Sequence, residues 1–81
     1  MLISGQCRAA RALIKWTQTE LAQAANVSLS TVSEFEGESR NPIRRNKVAI
    51  QQALEAAGIE FIAENGGGAG VRLRKNPVIA Y

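Results

Sequence analysis

Histidine and aspartate are both missing from this chain of 81 residues, whose seven acidic residues are all glutamates. Without them the chain cannot build a Ser-His-Asp triad, a histidine-based metal site or an aspartyl nucleophile. We therefore expect a protein that is not an enzyme and that uses neither a metal ion nor another cofactor. The single cysteine, Cys7, excludes an internal disulfide and suits a reducing compartment. We expect it to be a partly buried helix residue rather than a redox sensor.

Long apolar runs are missing as well. No stretch of roughly 18 apolar residues is present, as a membrane-spanning helix would require. Residues 1–7 also lack the basic start and apolar core of a signal peptide, so we expect a cytoplasmic protein. A chain of 81 residues has room for one domain with a modest core, which is often stabilised further by dimerisation.

The most informative stretch that is present covers residues 17–36, TQTELAQAANVSLSTVSEFE. Thr17 and Glu20 form a capping box, which predicts that a helix begins at Gln18. The apolar residues that follow recur at the spacing of one buried helical face: Leu21, Ala22 and Ala25. Asn26 accepts left-handed backbone geometry and therefore predicts a tight turn.

A second short helix is predicted after this turn. Ser28 is a good N-cap, and Val32 and Phe35 lie one turn apart on the side that faces inward. Ser30 and Ser33 lie on the opposite side, which has little bulk. Two helices joined by a turn of about three to four residues form a helix-turn-helix, and this motif indicates a protein that binds DNA.

Helices are also predicted on both sides of this motif. The first covers residues 6–15, and Trp16 at its end is expected to pack in the core. The last covers residues 47–57, with Asn46 as its N-cap and Gly58 as its left-handed C-cap.

The last 23 residues have a different character. Residues 59–63 are rich in β-formers, residues 71–74 alternate in polarity, and GGGAG lies between them, which predicts a β-hairpin. The glycines suit a flexible loop better than a phosphate-binding loop, which would need a lysine and a strand-to-helix context. We expect a mainly α fold of four short helices with a central helix-turn-helix, plus the hairpin. The expected boundaries are 1–58, 59–75 and a tail at 76–81.

Positive charge is concentrated in one short segment. Residues 40–47 carry four Lys/Arg and no acid, residues 1–39 carry three Lys/Arg against four Glu, and residues 48–81 carry three of each. The charges alone fit a solvated loop as well as a phosphate-binding one. Their position just after a helix-turn-helix favours phosphate contacts by Arg40, Arg44, Arg45 and Lys47.

The motif resembles the lambda-repressor-like (Xre/Cro-type) helix-turn-helix family over about residues 8–58. The residues that carry this resemblance are Gln18, Leu21, Ala22, Asn26, Val27, Val32 and Phe35. Asn26 replaces the family's usual glycine but tolerates the same backbone, whereas acidic Glu34, Glu36 and Glu38 are unusual beside phosphates. The resemblance implies a sequence-specific DNA-binding transcriptional regulator of phage-repressor-like type. We expect it to act as a homodimer on double-stranded DNA, with one recognition helix in each major groove.

Candidate contact residues follow from their chemistry and from the resemblance. Base readout is expected from residues on the outer face of the second motif helix: Ser28, Leu29, Ser30, Ser33 and Glu34. Phosphate contacts are expected from Gln18, at a helix start that favours anions, and from Arg40, Arg44, Arg45 and Lys47. The resemblance also implies a structural ion pair between Arg11 and Glu36. No arginine lies on the base-facing side, so we expect DNA shape, with Arg72 or Arg74, to add specificity.

Other functions fit the same fold. An antitoxin of a toxin-antitoxin pair would repress its own operon through this motif and bind a toxin through another surface. A protein-binding adaptor is suggested by the acidic second helix. For the hairpin, we expect a role in the homodimer interface, because Phe61, Val71 and Leu73 exceed what an isolated hairpin can shelter. The alternative is that it caps its own helical core.

Overall fold

The computed structural model describes residues 2–74, in which four helices are followed by a β-hairpin. The elements are α1 (Ser4–Ile14), α2 (Gln18–Ala25), α3 (Leu29–Glu36), α4 (Arg44–Ala56), β1 (Ile59–Ile62) and β2 (Gly70–Leu73). The predicted mainly α fold with a C-terminal hairpin is confirmed. The tail expected at residues 76–81 lies outside the described residues.

Helix α1 begins two residues earlier than the sequence predicts. Gln6 is the reason, because its Oε1 accepts a hydrogen bond from the Ile3 amide at 3.1 Å and so satisfies one of the free donors at the helix start. The helix ends where Lys15 turns into the left-handed region, at φ 59°.

The helix-turn-helix has the local geometry that its sequence predicts. Thr17 Oγ1 accepts from the Glu20 amide at 3.0 Å, and Glu20 Oε1 accepts from the Thr17 amide at 2.7 Å, which completes the capping box. Asn26 makes the left-handed turn at φ 57°. Ser28 Oγ then caps α3 by accepting from the Thr31 amide at 3.0 Å. The predictions for both helix starts and for the turn are confirmed.

Helix α4 begins at Arg44, and the prediction that Asn46 caps a helix starting at residue 47 is wrong. Proline disfavours helical geometry in the residue before it, so no helix includes Asn41 or Pro42. Ile43 is extended, and the helix begins immediately after it. Ile43 occupies the N-cap position, where its side chain makes no capping hydrogen bond. Arg44 and Arg45 therefore lie in the first helical turn rather than in a loop.

One apolar core joins all the elements. Its buried members are Leu2, Cys7, Ala10, Leu21, Ala22, Ala25, Val32, Phe35, Ile50, Leu54 and Ile59. Ile14 and Trp16 pack against it, as expected for Trp16. The buried residues come from all four helices and from β1, so the position of α3 is fixed by contacts with the rest of the domain.

The hairpin packs on this helical core. Gly58, at φ 105°, turns the chain from α4 into β1, and β1 then lies against α4 while β2 lies against α1. Phe61 and Val71 are partly buried against the core. Gln6 ties the hairpin to α1, because its Nε2 donates to Gly70 O at 3.0 Å and to Ile62 O at 3.4 Å. The hairpin thus packs on its own helical core, and its expected contribution to a homodimer interface stays a prediction.

Candidate nucleic-acid interface

The C-terminal end of α3 is held by a buried polar network around Glu36. Only 2 % of this side chain is exposed. Arg11 of α1 donates to both carboxylate oxygens, from Nη2 at 2.7 Å and from Nε at 2.8 Å. Gln18 Nε2 of α2 donates to Oε1 at 3.0 Å, and Cys7 Sγ donates to Oε2 at 3.0 Å. The carboxylate therefore connects three helices, and the Arg11–Glu36 pair implied by the resemblance is present in the structure.

The same network controls the ionisation of its members. Burial alone would raise the pKa of Glu36, but the hydrogen bonds from Arg11, Gln18 and Cys7 outweigh burial and hold that pKa below its usual value. Burial, followed by the hydrogen bond to Glu36, raises the pKa of the Cys7 thiol. A buried thiol that resists ionisation is a poor nucleophile, so Cys7 acts as a core residue with a polar contact.

Arg11 and Arg8 extend this anchor to the backbone. Arg11 Nη1 donates to Trp16 O at 2.9 Å, which fixes the link between α1 and α2. Arg8 Nη1 donates to the backbone carbonyl of Glu36, at the last turn of α3. Sequence analysis missed the roles of Arg8, Gln18 and Cys7 here, because each of them joins Glu36 across a large sequence separation.

The N-terminal half of α3 has a different environment. Leu29 has 48 % of its surface exposed, and Ser28, Ser30 and Ser33 are exposed as well. Ser28 already accepts the Thr31 amide and shares a 2.8 Å hydrogen bond with Thr31 Oγ1, so its hydroxyl is engaged in capping. Ser30 and Ser33 are therefore better placed than Ser28 to offer a free hydroxyl to a base.

Glu34 and Arg40, expected to contact base and phosphate respectively, lie beside each other. Arg40 Nε is 3.9 Å from Glu34 Oε1, and the Arg40 side chain is exposed while that of Glu34 is partly exposed. An exposed pair of this kind contributes about 0 to 1 kcal/mol. Such a weak pair can be exchanged for contacts to DNA at little cost, so it leaves both assignments chemically feasible.

The remaining predicted phosphate contacts fall into two groups. Arg44 and Arg45 are exposed at the start of α4, and no acidic side chain among the described residues pairs with them. Lys47 is half-buried, with Nζ 6.0 Å from the centre of the Phe35 ring. Gln18 is also half-buried, and its amide is held by Glu36. Arg44 and Arg45 are thus the most accessible cations of the set.

A shallow groove connects α3 with the start of α4. It encloses about 210 Å³ and is lined by Thr31, Glu34, Arg40, Asn41, Pro42, Ile43 and Asn46. Ile43 provides no side-chain cap, so the amide groups in the first turn of α4 have no side-chain acceptor at the N-cap. Sequence analysis missed Thr31 and Asn46 as lining residues, since it assigned Asn46 to capping.

Residues 2–74 show neither a candidate metal site nor a candidate membrane-spanning helix. No group of three or more acidic, histidine or cysteine side chains there could hold a metal ion. None of the helices in that part of the chain has both the length and the apolarity to cross a lipid bilayer.

Comparison with known families identifies the same segment that the geometry singles out. The helix-turn-helix family model matches residues 8–42, which run from α1 through α3 to the loop before α4. No curated protein matches the chain significantly. The matching family consists of DNA-binding regulatory domains. Residues 8–42 are therefore a helix-turn-helix of the Xre or lambda-repressor-like type.

Proposed function

We propose that this protein is a sequence-specific DNA-binding transcriptional regulator of phage-repressor-like type, which places α3 in the major groove. The observation that carries the proposal is the asymmetry of α3. Its C-terminal end is locked to α1 and α2 through Glu36, while small polar side chains and Leu29 project from its N-terminal half. Helix-turn-helix proteins contact bases with the N-terminal residues of the second motif helix.

The exposed residues of α3 offer specific base contacts. Ser30 and Ser33 can donate or accept hydrogen bonds, Leu29 can contact a thymine methyl group, and Glu34 can accept from cytosine N4. Arg40 would leave Glu34 for a phosphate when the helix enters the groove. This exchange frees the carboxylate and neutralises a backbone charge in one step.

Arg44 and Arg45 supply the backbone contacts in this proposal. They lie at the start of α4, directly after Ile43, which lines the groove that also borders Glu34 of α3. A phosphate there would meet two cations together with the amide end of a helix, and both favour an anion. These contacts would orient the protein without selecting a sequence.

The salt dependence of DNA binding tests this assignment. The double variant Arg44→Ala/Arg45→Ala should bind all duplexes more weakly and reduce the slope of log K against log salt by about 2. Fluorescence anisotropy with random duplex DNA measures this slope. The matched control is Gln52→Glu/Ala56→Glu, which lowers the net charge by the same amount at exposed positions in the C-terminal half of α4. Equal changes in both variants would show that only net charge matters and would contradict the assignment.

The antitoxin hypothesis uses the same DNA surface but requires a second small protein bound elsewhere. Purification of the chain from its native source distinguishes the two, because a stoichiometric toxin would accompany an antitoxin. An adaptor without DNA affinity would show no binding to any duplex. Selection of bound sites from random duplex DNA tests that alternative and also gives the operator sequence.

A further inference from the structure

A second groove lies between the first described residues of the chain and the segment that joins α3 to α4. It encloses about 250 Å³, and we call it the N-terminal groove. Its lining includes Leu2, Ile3, Phe35, Arg40, Asn41 and Lys47. Leu2 and Phe35 are buried, whereas 52 % of the Ile3 surface is exposed. The groove therefore offers an apolar floor with one apolar side chain that the described residues leave uncovered.

Lys47 gives this groove a cation that has no anionic partner within residues 2–74. Among the Lys and Arg side chains of that range, only Arg11 and Lys47 are half-buried. Arg11 binds Glu36, but no carboxylate of the same range forms an ion pair with Lys47. Its Nζ instead lies 6.0 Å from the centre of the Phe35 ring. Because partial burial reduces the hydration of a cation, an added anion is attracted more strongly there than at an exposed lysine.

The acidic residue that lines the groove does not neutralise Lys47. Glu38 Oε2 accepts a hydrogen bond from Ser4 Oγ at 3.1 Å and lies 3.9 Å from Arg8 Nη1. Its carboxylate is thus engaged with Ser4 and Arg8. Arg40 also lines the groove, and its described partner is the weak contact with Glu34 at 3.9 Å. The groove therefore combines an apolar floor with an excess of positive charge.

We propose that the N-terminal groove binds a small organic carboxylate with an aromatic or branched aliphatic body, and that this ligand regulates DNA binding. The carboxylate accepts hydrogen bonds from Lys47 Nζ and from the amide of the Asn41 side chain, and the apolar body covers Ile3. An inorganic anion would leave Ile3 exposed, and an uncharged hydrocarbon would leave Lys47 unpaired. Pockets for drug-sized ligands enclose about 300 to 1,000 Å³, so this smaller groove suits a ligand of about one ring.

Arg40 and Asn41 connect this groove to the proposed DNA surface, since both residues also line the groove between α3 and the start of α4. A bound carboxylate competes with DNA phosphates for Arg40 and Lys47, which are both candidate phosphate contacts. The ligand should therefore weaken DNA binding, and DNA should weaken ligand binding by the same factor. This regulation rests on the proposed function. Binding of the carboxylate does not, so it can be measured without DNA.

Titration of the full-length protein with sodium benzoate, followed by NMR, tests the site directly. Chemical-shift changes should be concentrated at Ile3, Phe35 and Lys47. We expect a Kd of about 1 to 10 mM, because the probe is small and the groove is shallow. Sodium acetate has the charge without the ring, and benzylamine has the ring with the opposite charge. Neither should produce these changes at the same concentration, and equal changes with either of them would overturn the proposal.

A pair of lysine variants tests the role of the half-buried cation. Lys47→Met removes the charge but keeps an unbranched stem beside Phe35, so the Kd for benzoate should rise about tenfold or more. The matched control is Lys15→Met, which makes the same change at an exposed position at the end of α1 and should bind benzoate as the wild type does. Circular dichroism confirms that both variants are folded. Equal benzoate affinity for the two variants contradicts the proposal.

The same spectra show whether the chain itself fills the groove. The proposal requires the Lys47 side chain to contact only residues of the groove before benzoate is added. Nuclear Overhauser contacts between Lys47 and residues outside 2–74 in the free protein would show that the chain covers its own cation, and they would overturn the proposal.

Fluorescence anisotropy with duplex DNA measures the regulation. Acetate at the same concentration is the reference, because DNA binding depends on ionic strength. For the wild type, saturating benzoate should raise the Kd for DNA about fivefold or more above its value in acetate, whereas for Lys47→Met the two values should be equal. Equal wild-type values in benzoate and acetate would contradict the regulation. A protein that binds benzoate but no duplex would contradict the proposed function instead, so the two failures are distinguishable.

Discussion

The two ends of helix α3 are held in different ways. At the C-terminal end, Glu36 is buried and receives hydrogen bonds from Arg11, Gln18 and Cys7. At the N-terminal end, the described side chains make only the local bonds of the Ser28 cap. The long-range polar contacts that hold the helix therefore lie at one end, in addition to the core contacts of Val32 and Phe35. Surface residues at the other end can be substituted without changing where the helix lies.

This division separates structural acids from contact residues on one short helix. Glu34 and Glu36 are two residues apart, yet Glu34 is partly exposed beside Arg40 while Glu36 is buried beside Arg11. A helix turns by about 100° per residue, so positions two apart face nearly opposite sides. One of the two acidic side chains of α3 is thus buried inside the domain, so only Glu34 would lie beside phosphates.

Removing Arg11 should have the largest effect on how the C-terminal end of α3 is held, and therefore on stability. Arg11→Met leaves the Glu36 carboxylate buried without its cation, and breaking a buried pair in this way costs about 3 to 5 kcal/mol. Chemical denaturation measures the loss. The double variant Arg11→Met/Glu36→Leu should recover part of it, because it removes the uncompensated charge. A double variant as unstable as the sum of both single changes would contradict the importance of this pair.

The pH dependence of stability should change direction in the same variant. In the wild-type protein the pKa of Glu36 is lowered, so its stabilisation is complete above the unfolded value of about 4.3 and is lost as the pH falls through the lower folded value. In Arg11→Met, burial dominates and raises the pKa of Glu36. The stability deficit relative to wild type should therefore shrink between pH 7 and pH 5. Thermal unfolding at both pH values measures it, and a constant deficit would exclude this linkage.

Substitutions on opposite faces of α3 should separate its core residues from its base-contact residues. Phe35→Ala should lower stability by about 3 to 5 kcal/mol and Val32→Ala by a smaller amount, because both side chains are buried. Ser33→Ala and Glu34→Ala should leave stability nearly unchanged and cost about 1 to 3 kcal/mol per lost base contact. Thermal melts and site selection measure the two properties separately. If both pairs of variants respond alike, the assigned facing of α3 is wrong.

Local sequence signals predicted the helix-turn-helix well. Thr17, Glu20, Asn26 and Ser28 each act within a few residues of their own position, so their geometry follows from their chemistry. The start of α1 was predicted two residues late because Gln6, whose Oε1 accepts from the Ile3 amide, was not assigned a capping role.

The candidate site was predictable only in part, because some of its contacts join residues that are far apart in the chain. Exposure of Ser30 and Ser33 followed from helical periodicity, and the Arg11–Glu36 pair followed from the family resemblance. The hydrogen bonds of Gln18 and Cys7 to Glu36 could not be predicted, since each depends on how separate helices cross. The start of α4 was misplaced because Asn46 was given a capping role, whereas the chain enters the helix directly after the extended Ile43.

The smallest expected effect concerns the turn that leads into the free end of α3. Asn26 has φ 57° and is exposed, so a substitution there changes backbone strain with little effect on packing. Asn26→Ala should cost about 1 to 2 kcal/mol, because a Cβ without a local polar contact disfavours left-handed geometry. Asn26→Gly, the residue that the family usually has, should change stability by no more than about 0.5 kcal/mol. Chemical denaturation of both variants provides the comparison. Equal losses for alanine and glycine would show that the Asn26 side chain, rather than its backbone conformation, stabilises the turn.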